Sequence, residues 1–410
     1  MSWDRRVVRQ VGLAQAALGF TVNSLGACLV LLAADLDSAP EELAWLSSSF
    51  GVGLLVAGVT GRWALRPGPR PALLGSALVA AAGTILLAIG TSAVMAAVGA
   101  LLLGLGAAGF VLVTPALLSG PDAAAGLVRA NAAASISALF GPLAIGAVAA
   151  VGLSGRLALL IAVPPLLFLA ADTRPRRSAA TATATATVSV SGSISGSGTG
   201  DASLGSVEVP GPVEHGEAAG ARTYVGVSRA PSVRRAAGVW ATIVVAVSIE
   251  FCFTIWSTTR LQATGLPVGA AAAAATTFLV GMAAGRLAAP RLIARRVPVV
   301  PVGCGLAAAG TVVVALFDAP VPVTLGLALA GLGVAPFYPV TLARLVQVPG
   351  LPTARSAAYG ALASGTAILA APATLAALGA ALDLRTAYLV AVLPLALVLA
   401  AATLPRRART

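Results

Sequence analysis

Lysine is missing altogether from this chain of 410 residues. Histidine occurs once, at His215, and cysteine only at Cys28, Cys252 and Cys304. Acidic and basic residues together make up 10% of the sequence. Each shortage removes a class of function. Without lysine there is no Gly-rich phosphate loop of the kind that carries one, so ATP-driven pumping by this chain alone is excluded. A lone histidine and three scattered cysteines give no metal-ligand spacing and no nucleophile–base pair. No enzyme activity, metal or organic cofactor is therefore expected. The cysteines fall within apolar runs and read as small apolar fillers, with no disulfide framework.

What fills the chain is apolar. Hydrophobic residues are 58% of it, and the mean hydropathy is +0.95. A soluble domain of this length does not look like that, which makes this a multi-span membrane protein. The formal charge is +12, all of it from arginine. Arginine without lysine, with heavy use of alanine and glycine, points to a GC-rich bacterial genome. Strong basicity can signal nucleic-acid binding, but here the arginines sit in short loops between apolar runs. The bilayer, not nucleic acid, is the expected partner.

Arg5, Arg6 and Arg9 before an apolar run mimic a signal peptide. The run is too long for one, and Ala33-Ala34-Asp35 is a poor cleavage site, so an uncleaved first helix is expected. Twelve spans of about 18–27 residues follow from hydropathy. They are 10–33, 43–64, 71–90, 93–118, 127–152 and 155–172 in the first half. The second half gives 237–260, 267–290, 298–317, 321–346, 355–381 and 385–404. With the N-terminus inside, every arginine except Arg156, Arg260 and Arg385 falls on the inner side. That asymmetry predicts a multi-pass protein of the bacterial inner (plasma) membrane with both termini cytoplasmic. Between the halves, Thr173–Ala236 contains TATATATVSVSGSISGSGTG. It buries too little apolar surface to fold alone and is expected to be a flexible cytoplasmic linker, with His215 solvated.

The halves look duplicated. Gly61-Arg62-Trp63-Ala64 recurs as Gly285-Arg286-Leu287-Ala288, and Gly104-Leu105-Gly106-Ala107-Ala108 as Gly331-Leu332-Gly333-Val334-Ala335. Gly155-Arg156 is echoed by Leu384-Arg385, and Pro142 by Pro372. Offsets near a constant value of about 224–230 residues indicate a parallel six-helix repeat. The expected fold is an all-α membrane protein of twelve transmembrane helices in two six-helix bundles, 1–172 and 237–410, joined by the linker 173–236.

One residue interrupts the apolar pattern. Glu250 lies near the middle of GVWATIVVAVSIEFCFTIWSTTR, Gly238–Arg260. It is the one acid or base placed deep within a span. Seating a charged carboxylate there costs about 2.5–3.5 kcal/mol on insertion scales, so such residues are usually functional. Leaving water favours the protonated form, which suits a group that trades a proton. A permanently protonated Glu250, hydrogen-bonded between helices, is the alternative.

The loop after the second span, GRWALRPGPR, resembles a signature of the major facilitator superfamily, with Gly61, Arg62, Arg66, Gly68 and Arg70 in its pattern. Leu65 stands where the family carries an aspartate that helps latch the halves, so such a latch must be weaker here or built elsewhere. In the fourth span Gly104, Gly106, Ala107 and Ala108 match, while Ala100 and Leu103 replace the motif's Arg and Gln. In the fifth, Gly141-Pro142 and Gly146 are similar to a motif of antiporters, and a bend or close crossing is expected there. Ordinary helix packing accounts for the same residues. The resemblance covers essentially 10–404 and implies transport by alternating access.

Helical spacing sets Phe253, Thr254 and Ser257 on the face of Glu250. Asn23, mid-span in the first helix, corresponds in the repeat to within a turn. In the resembled family the first and seventh helices line the cavity, so Asn23 and Glu250 form the first candidate pair. Asn23 serves equally well as an interhelical hydrogen-bonding residue. Ser135, Tyr338 and Tyr359 are supporting pathway candidates. A cavity this poor in charge suits an amphipathic or apolar solute, or a cationic one. The expected function is proton-coupled efflux of a small molecule by a monomer, with protons as the second partner. The alternatives are proton-coupled uptake of a small metabolite or sugar, and a non-transporting sensor or scaffold.

Overall fold

A computed structural model describes residues 5–64, 66–118, 123–174 and 233–404. Leu65, His215 and nearly all of the expected linker lie outside the described residues. So do the side chains of Arg62 and Ala64.

The first half contains α1 (Arg5–Asp35), α2 (Trp45–Ala64), α3 (Pro69–Ile89), α4 (Ala93–Leu117) and α5 (Ala123–Ala150). A 3₁₀ segment, Gly155–Ala162, then runs into α6 (Val163–Thr173). The second half contains α7 (Val233–Gln262), α8 (Val268–Ala294), α9 (Val299–Leu316), α10 (Pro320–Val334), α11 (Phe337–Val346), α12 (Thr353–Ala381) and α13 (Leu384–Thr403). The 3₁₀ segment with α6 makes one crossing, as does α10 with α11, so the fold is an all-α membrane protein of twelve transmembrane helices. Among the described residues, 11 helices are long and apolar enough to cross a membrane, and Trp45–Gly61 is a shorter apolar helix. The tenth crossing breaks at Ala335 and Pro336, where proline interrupts the hydrogen-bond ladder.

The two six-helix bundles repeat each other contact for contact. In the first, α1 packs on α5, α2 on α4, and α3 on α4 and α6. In the second, α7 packs on α12, α8 on α10, and α9 on α10 and α13. Glycine carries the closest approaches. A Cβ on Gly104 would lie 2.2 Å from the Phe50 carbonyl oxygen, and one on Gly331 would lie 1.9 Å from that of Phe278. Gly83 meets Gly99 as Gly310 meets Gly326. In lipid, where burial of apolar surface does not drive helices together, such backbone-close packing is a main source of association.

The three arginines that break the inner-side rule have a physical reason. A helix end leaves carbonyls without partners, and hydrocarbon supplies none. Arg156 reaches the α3 end, donating to the Gly90 carbonyl at 2.8 Å and the Leu87 carbonyl at 3.4 Å. Its other nitrogen pairs with Asp35 at 2.6 Å. In the second bundle the corresponding carbonyls are those of Val314 and Phe317 at the end of α9, and Arg260 donates to both. Arg385 adds the Ala315 carbonyl at 2.7 Å and an ion pair with Asp318 at 2.6 Å. The first bundle thus draws its capping arginine from the sixth crossing, and the second draws it mainly from the seventh. Arg260→Leu is expected to cost about 1–3 kcal/mol for each carbonyl left buried without a donor. Thermal unfolding in detergent would show it as a lowered midpoint.

Asp383 caps α13, accepting from the Thr386 backbone N–H at 2.8 Å and the Thr386 hydroxyl at 3.0 Å. Those bonds, aided by Arg385, hold its carboxyl below the usual carboxylate range. The stabilisation is therefore present above the unfolded-state pKa and is lost as pH falls through the lowered value. Asp383→Ala is expected to lower stability by about 1 kcal/mol near neutral pH, with the difference from wild type vanishing in strong acid.

Candidate functional site

Glu250 projects from the middle of α7 into the junction between the bundles. Its Oε1 lies 3.9 Å from Arg286 Nη2, and 17% of its side chain remains exposed. Arg286 Nη1 in turn donates to Ser135 Oγ at 2.7 Å. Ser135 belongs to α5 in the first bundle, so a carboxylate, a guanidinium and a hydroxyl connect the two halves. Tyr338, in the first turn of α11, meets Ser364 of α12 and faces Glu250. The helix break at Pro336 is what aims it there.

One turn further along α7, Thr254 donates to the Glu250 carbonyl at 2.9 Å. Thr254, Ser257 and Thr258 line a narrow cleft with Asn23 of α1, Pro142 of α5 and Phe278 of α8, of about 10 Å³, scarcely room for one water molecule. Asn23 also donates to the Gly19 carbonyl at 2.9 Å. Asn23, Thr254 and Ser257 are thus brought together, next to the charged group and not on it.

Beyond this cleft, on the side away from the termini, the bundles meet backbone to backbone. A Cβ on Gly26 would lie 2.6 Å from the carbonyl oxygens of Thr254 and Ile255. Gly146 faces the Gly269 carbonyl in the same way, and Gly51 faces Leu369. Ser48 donates to the Leu369 carbonyl at 2.9 Å. Gly141 packs against Phe20 and Ser24 of α1, which makes Gly141-Pro142 a close helix crossing as well as a cleft wall.

Other expectations need correction. Phe253 does not face the pathway; it is fully buried, its ring 5.4 Å from that of Phe278 and 5.3 Å from that of Tyr388. A helical wheel places it about 60° from Glu250, and aromatic packing seats it in the bundle core. Glu250 is not alone within the spans. Arg286 lies two turns inside α8, and Arg260 is fully buried. Arg286 was legible only as an inner-side arginine; the run of α8 to Ala294 would have moved it inward. Ser364 carried no signal. Tyr359 is 41% exposed on α12. In the loop motif, Gly68 has φ +106° where it precedes α3, a conformation that favours glycine. Gly61 abuts Leu112, while Arg66 and Arg70 are exposed.

A family model described as the Major Facilitator Superfamily matches residues 11–349. A comparison with curated protein sequences finds no match. Among solved structures, the chain is similar to a nucleoside transporter, NupG. The TM-score is 0.63 at 15% identity, covering 97% of this chain and 97% of that one. It is also similar to a D-xylose-proton symporter, with TM-score 0.64 at 13% identity and 97% of each chain covered. A peptide transporter, POT, in complex with sulfate gives 0.66 at 14%, covering 97% and 94%. At these identities the likeness is one of fold.

Proposed function

The chain belongs to the Major Facilitator Superfamily, and from that premise we propose that it is a proton-coupled secondary transporter of a small organic solute. The bundles 1–172 and 237–410 rock against each other about a midplane site, with 173–236 as tether. The close approaches at Gly26, Gly146 and Gly51 support a form closed on the side away from the termini. We place the termini in the cytoplasm of a bacterial cell, because the exposed loop arginines gather on their side.

The observation that carries the coupling is a partly uncovered carboxylate at the bundle junction, paired at long range with Arg286. Protonating Glu250 removes that pairing and frees Arg286 to change partners across the junction. The same pair favours uptake. A cation exchanged for the proton would have to displace Arg286 from Glu250, whereas a solute loaded with the proton need not. The xylose-proton symporter of similar fold supports coupling of this kind. Efflux of an amphipathic molecule is the second reading, favoured by Gly141, Pro142 and Gly146 of the fifth crossing.

The test is a counterflow screen in proteoliposomes over chemically varied solutes, with and without a pH gradient. Solute should concentrate on the alkaline side, and a protonophore should abolish the accumulation. Accumulation indifferent to the protonophore removes the coupling.

A further inference from the structure

Arg286 differs from the other arginines seated within the fold. Arg156 and Arg260 are 8% and 0% exposed in their side chains, donate to helix-end carbonyls and pair with Asp35 and Asp318, and their remaining donors, Arg156 Nε and Arg260 Nη1, are buried out of a ligand's reach. Arg286 is 39% exposed. It meets one hydroxyl at 2.7 Å and a carboxylate at 3.9 Å, the latter beyond hydrogen-bond range. A guanidinium has five N–H donors in a fixed fork. Donors are therefore left over, at the junction of the bundles, where part of the side chain stays uncovered.

We propose that Arg286 holds an anionic group of the transported solute, a carboxylate or phosphonate, and that this anion and the proton on Glu250 load together. The inference rests on the proton-coupled reading above and names the solute class. With Glu250 ionised, Arg286 is compensated and an incoming anion meets a like charge. With Glu250 protonated, the guanidinium is uncompensated in a site of low dielectric, where an anion is held far more strongly than in water. The proton goes to the Glu250 carboxylate, and no bond of the solute changes. Empty and ionised, the site is neutral; loaded with proton and anion, it is neutral again. Either one alone leaves a net charge, which is costly to enclose between closing bundles.

The groups facing Glu250 permit this exchange. Arg286 comes from α8 and Tyr338 from α11, with Ser364 beside it on α12. Asn23 of α1 and Ser135 of α5 carry no charge, and α10 has no titratable residue. Tyr388 of α13 is committed to the Cys252 carbonyl at 3.2 Å.

The test is isothermal titration of the purified full-length protein with benzoate and phenylphosphonate, against neutral benzamide and cationic benzylamine, on both sides of neutrality. The anions should bind best, and more tightly on the acidic side. Arg286→Gln should weaken them by about tenfold or more, and Arg286→Lys should recover part of the loss. Arg295→Gln, on the exposed turn after α8, should change nothing. Glu250→Gln, which fixes the uncharged form, should bind the anions at alkaline pH about tenfold more tightly than wild type. Benzamide or benzylamine binding as well as benzoate would overturn the inference, as would wild-type anion affinity in Arg286→Gln. Because these titrations measure binding in the absence of a gradient, they are independent of whether the proton drives transport.

Discussion

Proteoliposomes carrying Glu250→Gln are expected to exchange labelled for unlabelled solute but never to accumulate it under a pH gradient. The substitution keeps shape and hydrogen-bonding capacity and removes only the titration. At the one proton per solute proposed above, each unit of pH gradient would be worth about 1.4 kcal/mol, or about tenfold accumulation, in wild type. The mutant should lose all of it, while counterflow, which needs no return of the empty site, persists. Folding should survive, since Glu250 keeps 17% of its side chain exposed and holds Arg286 only at 3.9 Å. If Glu250 were instead a structural residue, the glutamine variant would lose neither transport nor accumulation.

The second large effect concerns closure. Gly26 sits where α1 crosses α7, and its missing side chain lets the Thr254 and Ile255 carbonyls approach. Both obstacles are backbone of a long helix, so neither can turn aside as a flexible side chain would. Gly26→Val should force the bundles apart on the side away from the termini without disturbing α1 against α5 in its own bundle. The expected result is normal insertion with transport slowed by about a hundredfold or more, because closure gates turnover. Cys28, buried one half-turn further along α1 in a crevice that also contains Ile255, should become open to a membrane-impermeant thiol reagent from that side. Normal transport with Cys28 still protected would show that the contact is not a gate.

Much of this architecture was legible beforehand, for a simple reason. Hydrocarbon leaves a chain few choices, so crossings read directly from hydropathy. The duplicated glycines were legible because backbone-close packing tolerates no other residue, as at Gly104 and Gly331. Glu250 stood out because it was the one acid or base placed deep within a span. What stayed hidden were relations between helices. Arg286 read as an inner-side arginine near the end of the span 267–290, because sequence fixes neither where α8 ends nor which neighbour its face meets. Arg156, Arg260 and Arg385 looked like exceptions to a charge rule, and only the carbonyls of α3 and α9 explain them. Phe253 shares a helical-wheel sector with Glu250, about 60° away, but its ring packs against Phe278 and Tyr388, which the wheel does not show. The break at Pro336 was readable as a proline, but not as the turn that brings Tyr338 to Glu250.

Proton movement itself is the most direct probe of the whole account. A pH dye outside wild-type proteoliposomes should report alkalinisation when a transported solute is added, and Glu250→Gln should give none while labelled solute still enters in exchange for unlabelled solute inside. Alkalinisation of equal size in that variant would show that the proton travels by another route and that Glu250 does not carry it.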